Sequence, residues 1–153
     1  MPIKPKKDAV LAVCVQETVE DGSEISLGDG FLQEDVFFMH QAFLADTLVN
    51  VLGLNIFDVR LFYGDSPATH KAVETIINYL KKRLKGRKAS ALEKDLEISA
   101  LSPERWGLKM EQAFQDCFER GYENVLFVGS RTPTLNEKLL KMALKLLRKS
   151  DAV

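Results

Sequence analysis

Two cysteines, two histidines and a single tryptophan are all that this 153-residue sequence spends on its scarcest reactive side chains. Cys14 and Cys117 each sit inside an apolar stretch, so they read as buried small hydrophobes rather than a disulfide framework or a metal site. His40 and His70 have no cysteine or second histidine spaced to work with them, which argues against a histidine-based nucleophile system. No apolar run reaches the length of a membrane span. Charge of one sign is also missing: the formal net charge is −1, so the chain as a whole is not drawn to nucleic acid or anionic lipid. Lys4, Lys6 and Lys7 open the chain like a signal peptide, but the following apolar run (residues 9–15) is short and gives way to acids instead of a small-residue cleavage site. A cytoplasmic location is the expectation.

What is present is the composition of a globular protein, with 46% hydrophobic and 28% charged residues, and residues 1–153 are expected to form a single domain. Residues 9–15 are continuously apolar and β-branched at three positions, as a strand buried on both faces requires. Residues 16–35 bring three glycines and many acids without periodicity, so they read as a long loop. Val36, Phe43, Leu44, Leu48, Val51 and Leu52 then recur at helical spacing, with His40 and Thr47 on the same stripe. Residues 57–63 read as a second strand, followed by a helix that starts at Ser66-Pro67, a cap and a first-turn proline. That helix runs toward Leu84 and leaves through a basic, glycine-interrupted exit. Residues 96–101 read as a third strand, and Ser102-Pro103 repeats the cap-then-proline signal. The next helix is expected to bury Met110, Ala113, Phe114, Cys117 and Phe118 before stopping at Gly121. A fourth strand spans 124–128, and a last helix carries the stripe Leu135, Leu139, Met142, Ala143, Leu146 and Leu147. The order βαβαβαβα predicts an α/β fold: a mostly parallel sheet with helices on both faces.

Such sheets bind ligands beyond the carboxyl ends of their strands, where the strand order reverses. The candidate loops are residues 16–35 and 129–133. A strand followed by Gly129-Ser130 and then a helix can offer backbone N–H groups to a phosphate, although such turns also serve simply to reverse the chain.

Several segments resemble one bacterial family of GT-A-like nucleotide-diphospho-sugar transferases. They are Ala42-Phe43-Leu44-Ala45-Asp46-Thr47-Leu48, the helix Trp106-Gly107-Leu108-Lys109-Met110 continuing through Ala113-Phe114 to Phe118-Glu119-Arg120-Gly121-Tyr122, and the strand and turn 124–135. The resemblance implies a Rossmann-like, GT-A-like three-layer sandwich, a nucleotide or nucleotide sugar as ligand, and candidate binding residues Gly22, Lys109, Gly129, Ser130, Arg131 and Thr132. It also implies a divalent cation held by an aspartate of the Gly-Ser turn, and here Arg131 stands in that place. An arginine cannot supply the oxygen donors that Mg²⁺ or Mn²⁺ require, so no metal, no resident cofactor and no catalytic residue are expected. The loop after the first strand, basic in the family, holds Glu17, Glu20, Asp21, Glu24, Asp29, Glu34 and Asp35 without one basic residue. Family members continue into further strands on the acceptor side, where this sequence stops at Val153. The expectation is therefore a transferase-like domain without the acceptor half or metal-dependent transfer. It would act as a binding or interaction module and pair as a homodimer or with a partner protein. Two alternatives stand beside it. One is an active transferase in which Arg131 grips phosphate in place of a metal. The other is nucleic-acid binding through the basic run Lys81, Lys82, Arg83, Lys85, Arg87 and Lys88, which lacks the interleaved aromatics such surfaces use.

Overall fold

The computed structural model describes residues 5–16, 30, 33–102 and 105–153. Along them run β1 (Ala9–Cys14), α1 (Gln33–Val51), β2 (Asp58–Gly64), α2 (Pro67–Arg83), α3 (Gly86–Lys94), β3 (Glu97–Leu101), α4 (Trp106–Glu119), β4 (Asn124–Gly129) and α5 (Glu137–Leu147). The four strands form one parallel sheet in the order β3-β2-β1-β4, with Val13 opposite Leu61 on one side and Val128 on the other. The predicted α/β class with helices on both faces is what the chain adopts. The chain steps outward from β1 through β2 to β3, then crosses back over β1 to lay down β4. Parallel crossovers are right-handed, so a step in the opposite direction must carry its helix over the opposite face. Among the described residues that places α4 alone on one face while α1, α2, α3 and α5 pack on the other.

Alternation along β1 divides the core accordingly. Ala9, Leu11 and Val13 face the four-helix side with Leu48, Val51 and Leu52 of α1, Val73 and Leu80 of α2, and Leu140 and Leu144 of α5. Val10, Ala12 and Cys14 face α4 with Phe62, Ala113, Cys117 and Val125. All six β1 side chains are fully buried, which is why this strand reads as an unbroken apolar run. Both cysteines are buried thiols, and burial pushes the Cys117 pKa up, keeping its proton on.

Several local expectations need correction. Glu34 and Asp35, read as loop, form the acidic first turn of α1, a favourable place for negative charge at a helix N-terminus. The basic exit after α2 contains a helix of its own, α3, which starts at Gly86 with φ of 60° and buries Ala91 and Leu92. Met110 and Phe118 are exposed rather than buried. In α5 the buried stripe is Leu140 and Leu144, while Leu139, Met142 and Leu146 face outward. The cap at Ser66 is present, its oxygen accepting from the Thr69 N–H at 3.2 Å. Pro103 and most of the 16–35 loop lie outside the described residues.

Beneath α4 lies a charged cluster. Arg60 on β2 is 1% exposed, ion-paired to Asp116 of α4 through Nη1, and donating from Nη2 to Ser99 Oγ at 3.0 Å and Glu97 Oε1 at 3.4 Å. Its guanidinium stacks 4.6 Å from the centre of the Phe62 ring. Arg120 closes the cluster by pairing with both Glu97 and Asp116.

Candidate functional site

The strand order reverses between β1 and β4, and a cleft of about 200 Å³ opens at the carboxyl ends of the strands on the four-helix face. Val15 and Gln16 continue β1 into its floor, and Ser130 enters from the end of β4. One wall is α1, with Phe37, His40, Gln41 and Leu44; the other is the start of α2, with Ala68, Thr69, Ala72, Val73 and Ile76. The lining is mostly apolar with a few polar groups, the usual make-up of a small-molecule pocket.

The turn after β4 is tied to β1 and α1. Ser130 is 3% exposed; its N–H donates to Cys14 O at 2.9 Å and its Oγ accepts from the Gln16 N–H at 3.0 Å. The Thr47 hydroxyl, which donates to Phe43 O at 2.7 Å, lies 3.4 Å from Ser130 O. Thr132 Oγ donates to Gly129 O at 2.7 Å, and Asn50 Nδ2 donates to Pro133 O at 2.9 Å. A Cβ at Gly129 would come within 2.5 Å of Gln16 Oε1, so any larger residue there would make the Gln16 side chain shift. Among the sequence candidates, Gly129, Ser130, Arg131 and Thr132 thus form one short segment, and Ser130 lines the cleft. Lys109 is elsewhere, buried on α4 across the sheet. Gly22 lies outside the described residues.

Sequence reasoning placed His40 on the core stripe; the structure puts it in the cleft wall. Its Nδ1 is buried and has no hydrogen-bond partner among the described residues. Desolvation, then the nearby positive charge of Arg131, holds the imidazole below its ordinary pKa. The sign follows from linkage: an unfolded chain takes up this proton below about pH 6.5, where the folded imidazole resists it. Folding stability should therefore fall as pH drops through that range. Melting curves from pH 7.5 to 5.5 are expected to show a shallower acid-side decline in His40→Gln than in the parent.

Gln16 and Thr69 were not singled out in the sequence, and Ser66 only as a helix cap. Only knowing that α1 and α2 share a face over the strand ends would have assembled them. A divalent cation does not fit the turn 129–132: the Ser130 hydroxyl accepts from Gln16, the Thr132 hydroxyl is turned to its own backbone, and Arg131 brings positive charge. Among the described residues no three His, Cys, Asp or Glu side chains gather as a metal site would need. No described helix is long and apolar enough to cross a membrane.

Comparison with known proteins agrees with the fold. A solved structure from Desulfovibrio desulfuricans G20, whose assignment as a nucleotide-diphospho-sugar transferase is itself provisional, superposes with a TM-score of 0.62 at 20% identity. The match covers 92% of this chain but 55% of that one, so this chain spans about half the length of its structural relative. No protein of curated function matches. The family model described as "Uncharacterized protein conserved in bacteria (DUF2064)" matches residues 52–153, more than half of the chain. The chain therefore belongs to this bacterial family, and it shares its α/β fold with the Desulfovibrio structure.

Proposed function

We propose that this is a single transferase-like domain that binds a nucleotide or nucleotide sugar at the switch-point cleft without carrying out metal-dependent sugar transfer. The observation that carries the reading is the β4 turn. At the position where the resemblance calls for a metal-holding aspartate, the chain presents Arg131, close enough to the cleft for its charge to act on His40. A guanidinium can neutralise phosphate oxygens directly and bidentately, which removes the need for a bridging cation in binding. It does not supply the Lewis acidity that a metal gives a leaving pyrophosphate. The apolar walls from Leu44, Val73 and Ile76 suit a flat ring, with Ser66, Thr69 and Gln16 as polar contacts. A cytoplasmic setting and self-association belong to the same reading. The buried thiols support a reducing compartment, and the exposed apolar side chains Phe118, Leu139 and Met142 support pairing.

Thermal-shift and calorimetric titration with nucleoside diphosphates and their sugars, with and without Mn²⁺, test the proposal. At least one should raise the melting temperature by a few degrees, equally with and without Mn²⁺, and Arg131→Ala should remove most of that shift. Sugar release should stay at background. Binding that requires Mn²⁺ would overturn the reading. Metal-free turnover abolished by Arg131→Ala would replace it with an active transferase.

A further inference from the structure

The basic run at the end of α2 plays no part in the cleft. α2 starts beside the cleft at Pro67 and runs 17 residues, about 25 Å, toward the opposite end of the sheet. There Lys81, Lys82, Arg83, Lys85 and Arg87 are all exposed, and among the described residues none of them forms an ion pair. Stability accounts for only part of this charge. Lys81, Lys82 and Arg83 occupy the last turn of α2, where the negative end of the helix dipole favours cations. Only Leu84 and Lys85 separate α2 from α3, and α3 begins the other way round. Its first turn holds no acid, and Arg87 and Lys88 stand at its positive end, which disfavours them. Lys88 has a structural task, donating from Nζ to Val49 O of α1. Nothing within the fold uses the charges of Lys85 and Arg87.

Tyr79 supplies the aromatic that the run itself lacks. Residues three and four apart share a helix face, so Tyr79 stands with Lys82 and Arg83. It is 49% exposed, and the Arg83 guanidinium lies 5.4 Å from the centre of its ring. We propose that the α2–α3 junction binds single-stranded nucleic acid, with Lys82, Arg83, Lys85 and Arg87 on its phosphates and one base stacked on Tyr79. An exposed ring among unpaired cations is the combination that such strands require, since the cations follow the backbone while the ring takes a base face. A duplex keeps its bases stacked inside, out of reach of the ring. An acidic peptide would meet the charges and leave the ring unused. The surface lies at the far end of α2 from the cleft and is independent of the reading given for it.

Fluorescence anisotropy of a labelled oligothymidylate of about twelve nucleotides, from about 20 to 200 mM salt, tests it. Binding should be micromolar at the lowest salt, with log K falling against log salt at a slope of about −3, from four phosphate contacts at about −0.7 each. Changing Lys85→Gln and Arg87→Gln together should flatten the slope to about −1.4. Tyr79→Ala should weaken binding about tenfold at an unchanged slope, and Tyr79→Phe should bind like the parent. These side chains are exposed, so the melting temperature of every variant should stay close to the parent's, separating lost binding from lost fold. Absence of binding at the lowest salt would overturn the proposal. Equal affinity for duplex DNA or for polyglutamate would also overturn it, as would a Tyr79→Ala variant that binds like the parent, because each would reduce the surface to a general attraction for polyanions.

Discussion

Asp116→Ala is expected to remove about 3–5 kcal/mol of folding stability, lowering the melting temperature by on the order of 10 °C. Asp116 itself is only partly buried, but its partner Arg60 is 1% exposed and cannot shed its proton. Removing the carboxylate leaves a guanidinium under α4 with Glu97 at 3.4 Å as its remaining anionic neighbour. The loss comes from stranding that charge, not from forfeiting the attraction of one ion pair. It follows that Arg60→Met, which removes the charge and keeps much of the volume, should be far milder than Asp116→Ala, and Asp116→Asn should fall between them. Chemical denaturation of the three variants checks the order. A loss below about 1 kcal/mol in Asp116→Ala would mean that water reaches Arg60.

Phe62→Ala should be of similar size, about 3–5 kcal/mol, through a different cause. Phe62 is fully buried in the smaller core with Val10, Ala12, Cys14 and Ala113. Among the described residues α4 is the only helix covering that face, so few neighbours can close over the space the ring leaves. Its ring is also the surface on which Arg60 lies at 4.6 Å, and a desolvated cation over an aromatic face adds to the loss. Phe62→Leu should recover most of the packing and little of the cation contact. Because both changes act on Arg60, the Phe62→Ala, Asp116→Ala double variant should depart from additivity by 0.5 kcal/mol or more. Strict additivity in denaturant titrations would show the ring and the carboxylate to be independent.

β1 was legible because burial on both faces leaves no polar alternation to misread. The α5 stripe was not, for a physical reason. Leu139, Leu140, Ala143, Leu144, Leu146 and Leu147 supply apolar residues to two adjoining helix faces, and spacing alone does not say which one meets the sheet. Arg60 was invisible as a core residue, since a charge inside a strand is ordinarily solvated and its partners lie 37 and 56 positions away. In the cleft, the Gly129–Thr132 segment could be found from its strand-turn-helix pattern. His40 could be placed on a helix stripe but not aimed, because α1 lies over β1 only once the crossover is built. Lys109 fell on the wrong side of the sheet for the same reason: the face that α4 takes is set by strand order, which no local pattern encodes.

The return of the chain across β1 also sets a timetable for synthesis. β1, β2 and β3 with their helices can associate as soon as residues to Leu101 have emerged, yet the second side of the central strand stays bare until β4 is made. Between the last residue of β2 at Gly64 and the last of β4 at Gly129, a ribosome working at about 5–20 residues per second needs roughly 3–13 s. Throughout that interval the most apolar strand of the protein presents an unpaired edge to its surroundings. Nascent chains crowded on one message are therefore most exposed to wrong pairing there. Slowing translation at any point before β4 has emerged would lengthen that exposure.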